Sequence, residues 1–149
     1  MKKVSKSSKK GFTLVELIVV LVILAILAAM LVPALTGYIR RAREEKEYQT
    51  ASTVYSAAQA VITDKYGRNL LGTRSAIAMN DFTIGSGSKA VDEVFELAGV
   101  DAHAVTAYSF NFDTNNYVIT GGSVTINGSE YTLTITNGIP SWTAAKVQS

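Results

Sequence analysis

Every position in residues 12–35 is apolar except Thr13, Glu16 and Pro33. Written as a helix, this stretch extends about 36 Å, more than the roughly 30 Å of a bilayer's hydrocarbon core. Beyond it the apolar character narrows to one side. Tyr48, Ala51, Tyr55, Ala58, Ile62 and Tyr66 recur every three or four residues, which places them on one face of a continuing helix. Gly67 fits a C-terminal stop. The pattern predicts a helix over residues 12–66, about 80 Å long, greasy all round at first and amphipathic afterwards. Pro33 lies inside it and cannot donate to the carbonyl of Ala29, so a kink or loosened turn is expected there.

After the helix the period changes. Residues 68–87 read as an irregular loop, punctuated by Gly72, Gly85 and Gly87. Ser88 is placed to cap a short helix through Ala98, with Val91, Val94, Phe95 and Ala98 on one face, Asp92, Glu93 and Glu96 pointing to solvent, and Gly99 ending it. Residues 104–112 alternate, with Val105, Ala107, Ser109 and Asn111 against Thr106, Tyr108, Phe110 and Phe112. Residues 113–116 read as a turn, and strands follow at 117–120, 123–126 and 131–136. Gly121-Gly122 separates the first two; Asn127-Gly128, a strong hairpin signal because both turn positions need positive φ, separates the next. Asn137-Gly138 is expected to end the last strand, with Trp142 over an edge. The expected class is α+β: a long N-terminal helix packed against a three- or four-stranded antiparallel sheet.

The start of the chain narrows the picture most. Residues 9–35 read KKGFTLVELIVVLVILAILAAMLVPAL, preceded by Lys2, Lys3 and Lys6 and by no acid. A secretory signal peptide carries an apolar core of roughly 7–15 residues before a small-residue cleavage site; here residues 17–32 are unbroken and no A-x-A follows. A plain single-pass anchor accounts for the length but not for Gly11-Phe12 or the carboxylate of Glu16. Together these residues resemble the N-terminus of a type IV prepilin. The resemblance implies cleavage after Gly11 by a prepilin peptidase, which leaves Phe12 first and N-methylated. It makes residues 1–11 a leader, residues 12–35 a segment that spans the membrane and later lines a filament core, and residues 36–149 a pilin head. It also assigns Glu16 to filament assembly, paired with the Phe12 amine of a neighbouring subunit, and implies that helical order around Pro33 can change on assembly. Many pilins of diderm bacteria close their C-terminal region with a disulfide; this chain, without cysteine, departs from that pattern.

Charge changes meaning once the leader is set apart. The whole chain has 14 Lys and Arg against 12 Asp and Glu. Five of those lysines precede Phe12, so the remainder has nine cations against twelve acids, a net of −3. Nucleic-acid binding is therefore not indicated. The lysines outnumber Arg40, Arg41 and Arg43 beyond the apolar run, which orients Met1 to the cytoplasm and the head outward. The run from Arg40 to Glu47 offers i,i+4 pairs Arg40–Glu44, Arg41–Glu45 and Arg43–Glu47, each worth only about 0.2–0.5 kcal/mol, and reads mainly as a solvated helix face.

Candidate chemistry is sparse. The absence of cysteine excludes thiolate catalysis and Cys-ligated metals. His103, the only histidine, has no evident acid–base partner and reads as a surface residue. Asp113, Asn115 and Asn116 could contact calcium, but turn chemistry accounts for them. Asn127-Gly128-Ser129 is formally a glycosylation acceptor, although its hairpin role needs no sugar. The tyrosine spacing is that of core packing. No triad, carboxylate dyad or phosphate loop is present, so neither enzyme, cofactor nor metal is expected. The expected function is a structural pilus subunit for adhesion, twitching motility or aggregation. Its partners would be copies of itself, the prepilin peptidase and methyltransferase, and the assembly platform with its ATPase. It would sit first in the cytoplasmic membrane and then on the cell surface. A pseudopilin of a secretion or DNA-uptake machine, or a ligand-binding minor pilin, shares the same N-terminus.

Overall fold

The computed structural model describes residues 11–84 and 91–145. One helix, α1 (Leu14–Gly67), runs unbroken through Pro33. By packing the chain divides into two units, Met1–Arg43 and Glu44–Ser149. In the first, every described residue is exposed or half-exposed, including the whole apolar run, and α1 is long and apolar enough there to cross a membrane. Thr36 returns its hydroxyl to the carbonyl of Val32 at 2.9 Å, one turn from the position where Pro33 removes a backbone donor.

The second unit is the head. After α1 come β1 (Ala76–Ala78), β2 (Thr83–Ile84), β3 (Val91–Asp92), α2 (Glu93–Ala98), β4 (Val105–Phe112), β5 (Ile119–Ile126), β6 (Ser129–Thr136) and β7 (Ile139–Ala144). Five strands form one antiparallel sheet in the order β1-β4-β5-β6-β7, and β2 pairs with β3 separately. The core lies between the sheet and the second half of α1, whose buried residues are Glu47, Ala51, Val54, Ala57, Ala58, Val61, Ile62 and Lys65. That face shares Ala51, Ala58 and Ile62 with the expected stripe, while Tyr48 and Tyr55 are half-buried against the core and Tyr66 is exposed. Small residues at 51, 57 and 58 let the helix approach the sheet, and each large side chain fully buried behind it contributes about 1.5–3 kcal/mol.

Several expectations need correction. The segment 68–84 is not wholly irregular, because β1 pairs with β4 and β2 opens a small hairpin. Ser88 lies outside the described residues. The short helix begins later than expected and is capped by Asp92, whose side chain accepts from the backbone of Val94 and Phe95. Asp92 and Glu93 do not point to solvent. Asp92 is buried, also accepting from the Asn80 backbone and the Tyr108 hydroxyl, and Glu93 takes an ion pair from the buried Lys65 at 2.6 Å. Only Glu96 faces outward as predicted. Gly121 and Gly122 do not break a strand; β5 runs straight through them. Asn137-Gly138 turns the chain back into β7 instead of ending the sheet, and Trp142 sits within that edge strand. In β4 a register shift between Val105 and Ala107 resets the alternation, so Val105 is buried together with Tyr108, Phe110 and Phe112.

Polar groups tie helix to sheet. Glu47 accepts from the Asn127 amide on one oxygen and from the Tyr131 hydroxyl on the other. Gln59 bridges β5's entry, donating to the carbonyl of Tyr117 and accepting from the N–H of Ile119. These bonds satisfy side chains that burial would otherwise make costly. Burial first, and then the Glu47 carboxylate, push the Tyr131 hydroxyl above the usual phenol range; burial and Asp92 do the same to Tyr108.

Candidate assembly site at the N-terminus

Leu14 is the first helical residue, which leaves Thr13 as the residue flanking the helix start. The sequence Thr13-Leu14-Val15-Glu16 matches the spacing of a capping box, and the bonds form reciprocally. The Thr13 N–H donates to Glu16 Oε2 at 2.8 Å, and the Thr13 hydroxyl donates to the same oxygen at 2.9 Å. In return the Glu16 N–H donates to Thr13 Oγ1 at 3.3 Å. Two orphan donors of the first turn are thereby satisfied, and the carboxylate sits at the positive end of the helix dipole.

The consequence is chemical. One carboxylate oxygen is occupied inside its own chain, while Glu16 Oε1 has no partner among the described residues. A single helix can thus hold this charge in an apolar setting with one acceptor still on offer. Gly11 and Phe12 precede the first helical turn, and Phe12 is 84% exposed, so the bond between them lies outside the helix. Around them, side chains from Leu14 to Leu35 present a continuous apolar surface.

The other candidates fall away from any common site. His103 is exposed beside Asp101, to which it bonds locally at 3.0 Å. Asp113 and Asn116 spend their carbonyl and carboxylate oxygens on turn N–H groups of Asn115 and Val118. Asn127 adopts positive φ in the β5–β6 turn, and its amide is engaged by Glu47. No group of three potential metal-ligating side chains occurs among the described residues. The capping box has its own sequence signal, the Thr-x-x-Glu spacing at residues 13–16.

The prokaryotic N-terminal methylation motif matches the chain over residues 6–32, spanning Gly11, Phe12, Thr13 and Glu16. No solved structure matches the chain significantly. The motif is that of prepilin-type proteins, pilins and pseudopilins, which are processed by a prepilin peptidase and serve as structural subunits. With its long apolar helix followed by an antiparallel sheet, the chain carries a prepilin-type N-terminus on a layout consistent with a type IV pilin-like protein.

Proposed function

We propose that the chain is the structural subunit of a type IV pilus. The precursor spans the cytoplasmic membrane with Met1 inside; cleavage after Gly11 removes residues 1–11 and exposes the Phe12 amine, which is then methylated. Residues 12–35 polymerise into the core of a surface filament, and residues 36–149 form its outer head. The observation that carries this reading is the Thr13–Glu16 box at the head of an apolar run, residues 14–35, whose large side chains are all exposed. Capping alone would be served by glutamine as well as by glutamate, so a plain membrane anchor has no need of the charge. An assembling subunit does, because a neighbour's Phe12 amine can reach the unoccupied oxygen and a misplaced one leaves a charge alone in an apolar bundle. Methylation once leaves the amine cationic and able to pair. Adhesion, twitching motility or aggregation would follow from the filament.

The assignment of the cut is tested by Gly11→Leu. A peptidase that fits a chain without a side chain at this position should reject the isobutyl group, so intact mass is expected to show uncut precursor in the membrane fraction. Mature protein of normal abundance from Gly11→Leu would contradict the assigned cut.

A further inference from the structure

Among the described residues two tyrosine pairs form ring contacts, and they differ in kind. Tyr48 meets Tyr131 edge-on, with centroids 5.2 Å apart, and the Tyr131 ring is buried with its hydroxyl committed to Glu47. Tyr66 and Tyr117 are stacked, with centroids 4.1 Å apart and ring planes 28° from parallel. Tyr66 is 56% exposed and Tyr117 half-buried, and neither hydroxyl has a hydrogen-bond partner among the described residues. The contact joins the last turn of α1 to the turn between β4 and β5, and that turn is firmly held. Tyr117 takes φ 55°, a left-handed conformation uncommon for a bulky residue. Its N–H donates to the Asp113 carbonyl at 2.7 Å, and its own carbonyl accepts from Gln59 of α1 at 2.9 Å. Phe112 gives the Tyr117 ring a second aromatic neighbour at 6.1 Å.

We propose that Tyr66 and Tyr117 form an oxidative cross-linking site, which couples to an intrachain dityrosine when hydrogen peroxide is supplied with a peroxidase. Each phenol gives up one electron and its hydroxyl proton, leaving a phenoxyl radical whose spin is shared with the ring carbons ortho to oxygen. One ortho carbon of each ring joins the other in a C–C bond. The hydrogen on each of these carbons then passes to its phenoxyl oxygen, which restores both phenols. Peroxide accepts the two electrons and two protons and leaves as two waters. The stack supplies what this coupling needs, because it holds ring carbons of one phenol at van der Waals separation from those of the other. Tyr66 is open enough for an oxidant to reach it, whereas edge-on geometry and burial keep Tyr131 from coupling to Tyr48. The product closes a loop of about 50 residues in a chain that has no cysteine to staple it.

The test uses the purified full chain in detergent, kept dilute and treated with hydrogen peroxide and a peroxidase, and it does not depend on polymerisation. A monomeric product is expected, with dityrosine fluorescence, a mass lower by two hydrogens in the cross-linked peptide, and Tyr66 joined to Tyr117 in the peptide map. Tyr66→Phe and Tyr117→Phe keep the ring and lose the hydroxyl, so each should lower the monomeric product several-fold, while Tyr48→Phe leaves it unchanged. Monomeric cross-linking that survives Tyr66→Phe overturns the proposal. So does a reaction that yields only multimers, or a peptide map that joins other tyrosines. Melting temperatures measured before oxidation show whether the phenylalanine variants are folded; if either is not, the peptide map of the unaltered chain decides.

Discussion

Glu16→Ala is expected to give a subunit that enters the membrane and is cleaved, yet reaches sheared filaments at a yield lower by at least about tenfold. The loss follows from an unpaired amine: without Glu16, the Phe12 cation of each arriving copy is buried among apolar helices with no counter-charge. The capping box supplies a control that separates two roles. Glutamine at this position keeps the reciprocal bonds with Thr13, since Glu and Gln serve a capping box alike, but removes the charge. Glu16→Gln is therefore expected to fail in assembly as alanine does, while the helix start stays formed. Filament yield near wild type from Glu16→Gln would mean that capping, not charge pairing, is what Glu16 contributes.

The head has its own point of maximum sensitivity in β5. A Cβ on Gly122 would lie 2.2 Å from the carbonyl oxygen of Ser109 and 2.6 Å from Cδ1 of Phe110, across the pairing with β4. The first obstacle is backbone within a sheet and cannot swing aside. Gly122→Ala must part the two central strands or displace the fully buried Phe110. The expected cost is about 3 kcal/mol, which lowers the melting temperature of the purified chain in detergent by roughly 10–20 °C. Gly128, with nothing within 4 Å of the added carbon, provides the comparison: Gly128→Ala should cost about 1 kcal/mol through its positive φ alone. Equal melting temperatures for Gly122→Ala and wild type would contradict the β4–β5 packing described above.

What could be read from residues alone followed from how local each signal is. The α1 helix, the short helix ending at Gly99 and the Asn127-Gly128 hairpin are written in spacing and turn chemistry, and all form. The N-terminal methylation motif was legible because charge, glycine, aromatic residue and acid stand within a few positions of one another. Long-range placement was not legible. Gly121-Gly122 reads locally as a break, yet at Gly122 the close approach of β4 leaves no room for a side chain inside the strand. Glu47 and Asp92 read as solvated charges because their partners, Tyr131 and Tyr108, are 84 and 16 residues away in the chain. The stripe at three- and four-residue spacing located the buried face in part: Ala51, Ala58 and Ile62 are buried as expected, while Val54, Ala57 and Val61 extend that face and Tyr66 lies off it.

The central claim is that a chain beginning at Phe12 polymerises outside the cell. Intact-mass and N-terminal analysis of material sheared from the cell surface, set against the membrane fraction, tests it most directly. The account predicts an abundant sheared species that starts at a methylated Phe12. A chain found only in the membrane, or one that still carries residues 1–11, would contradict it.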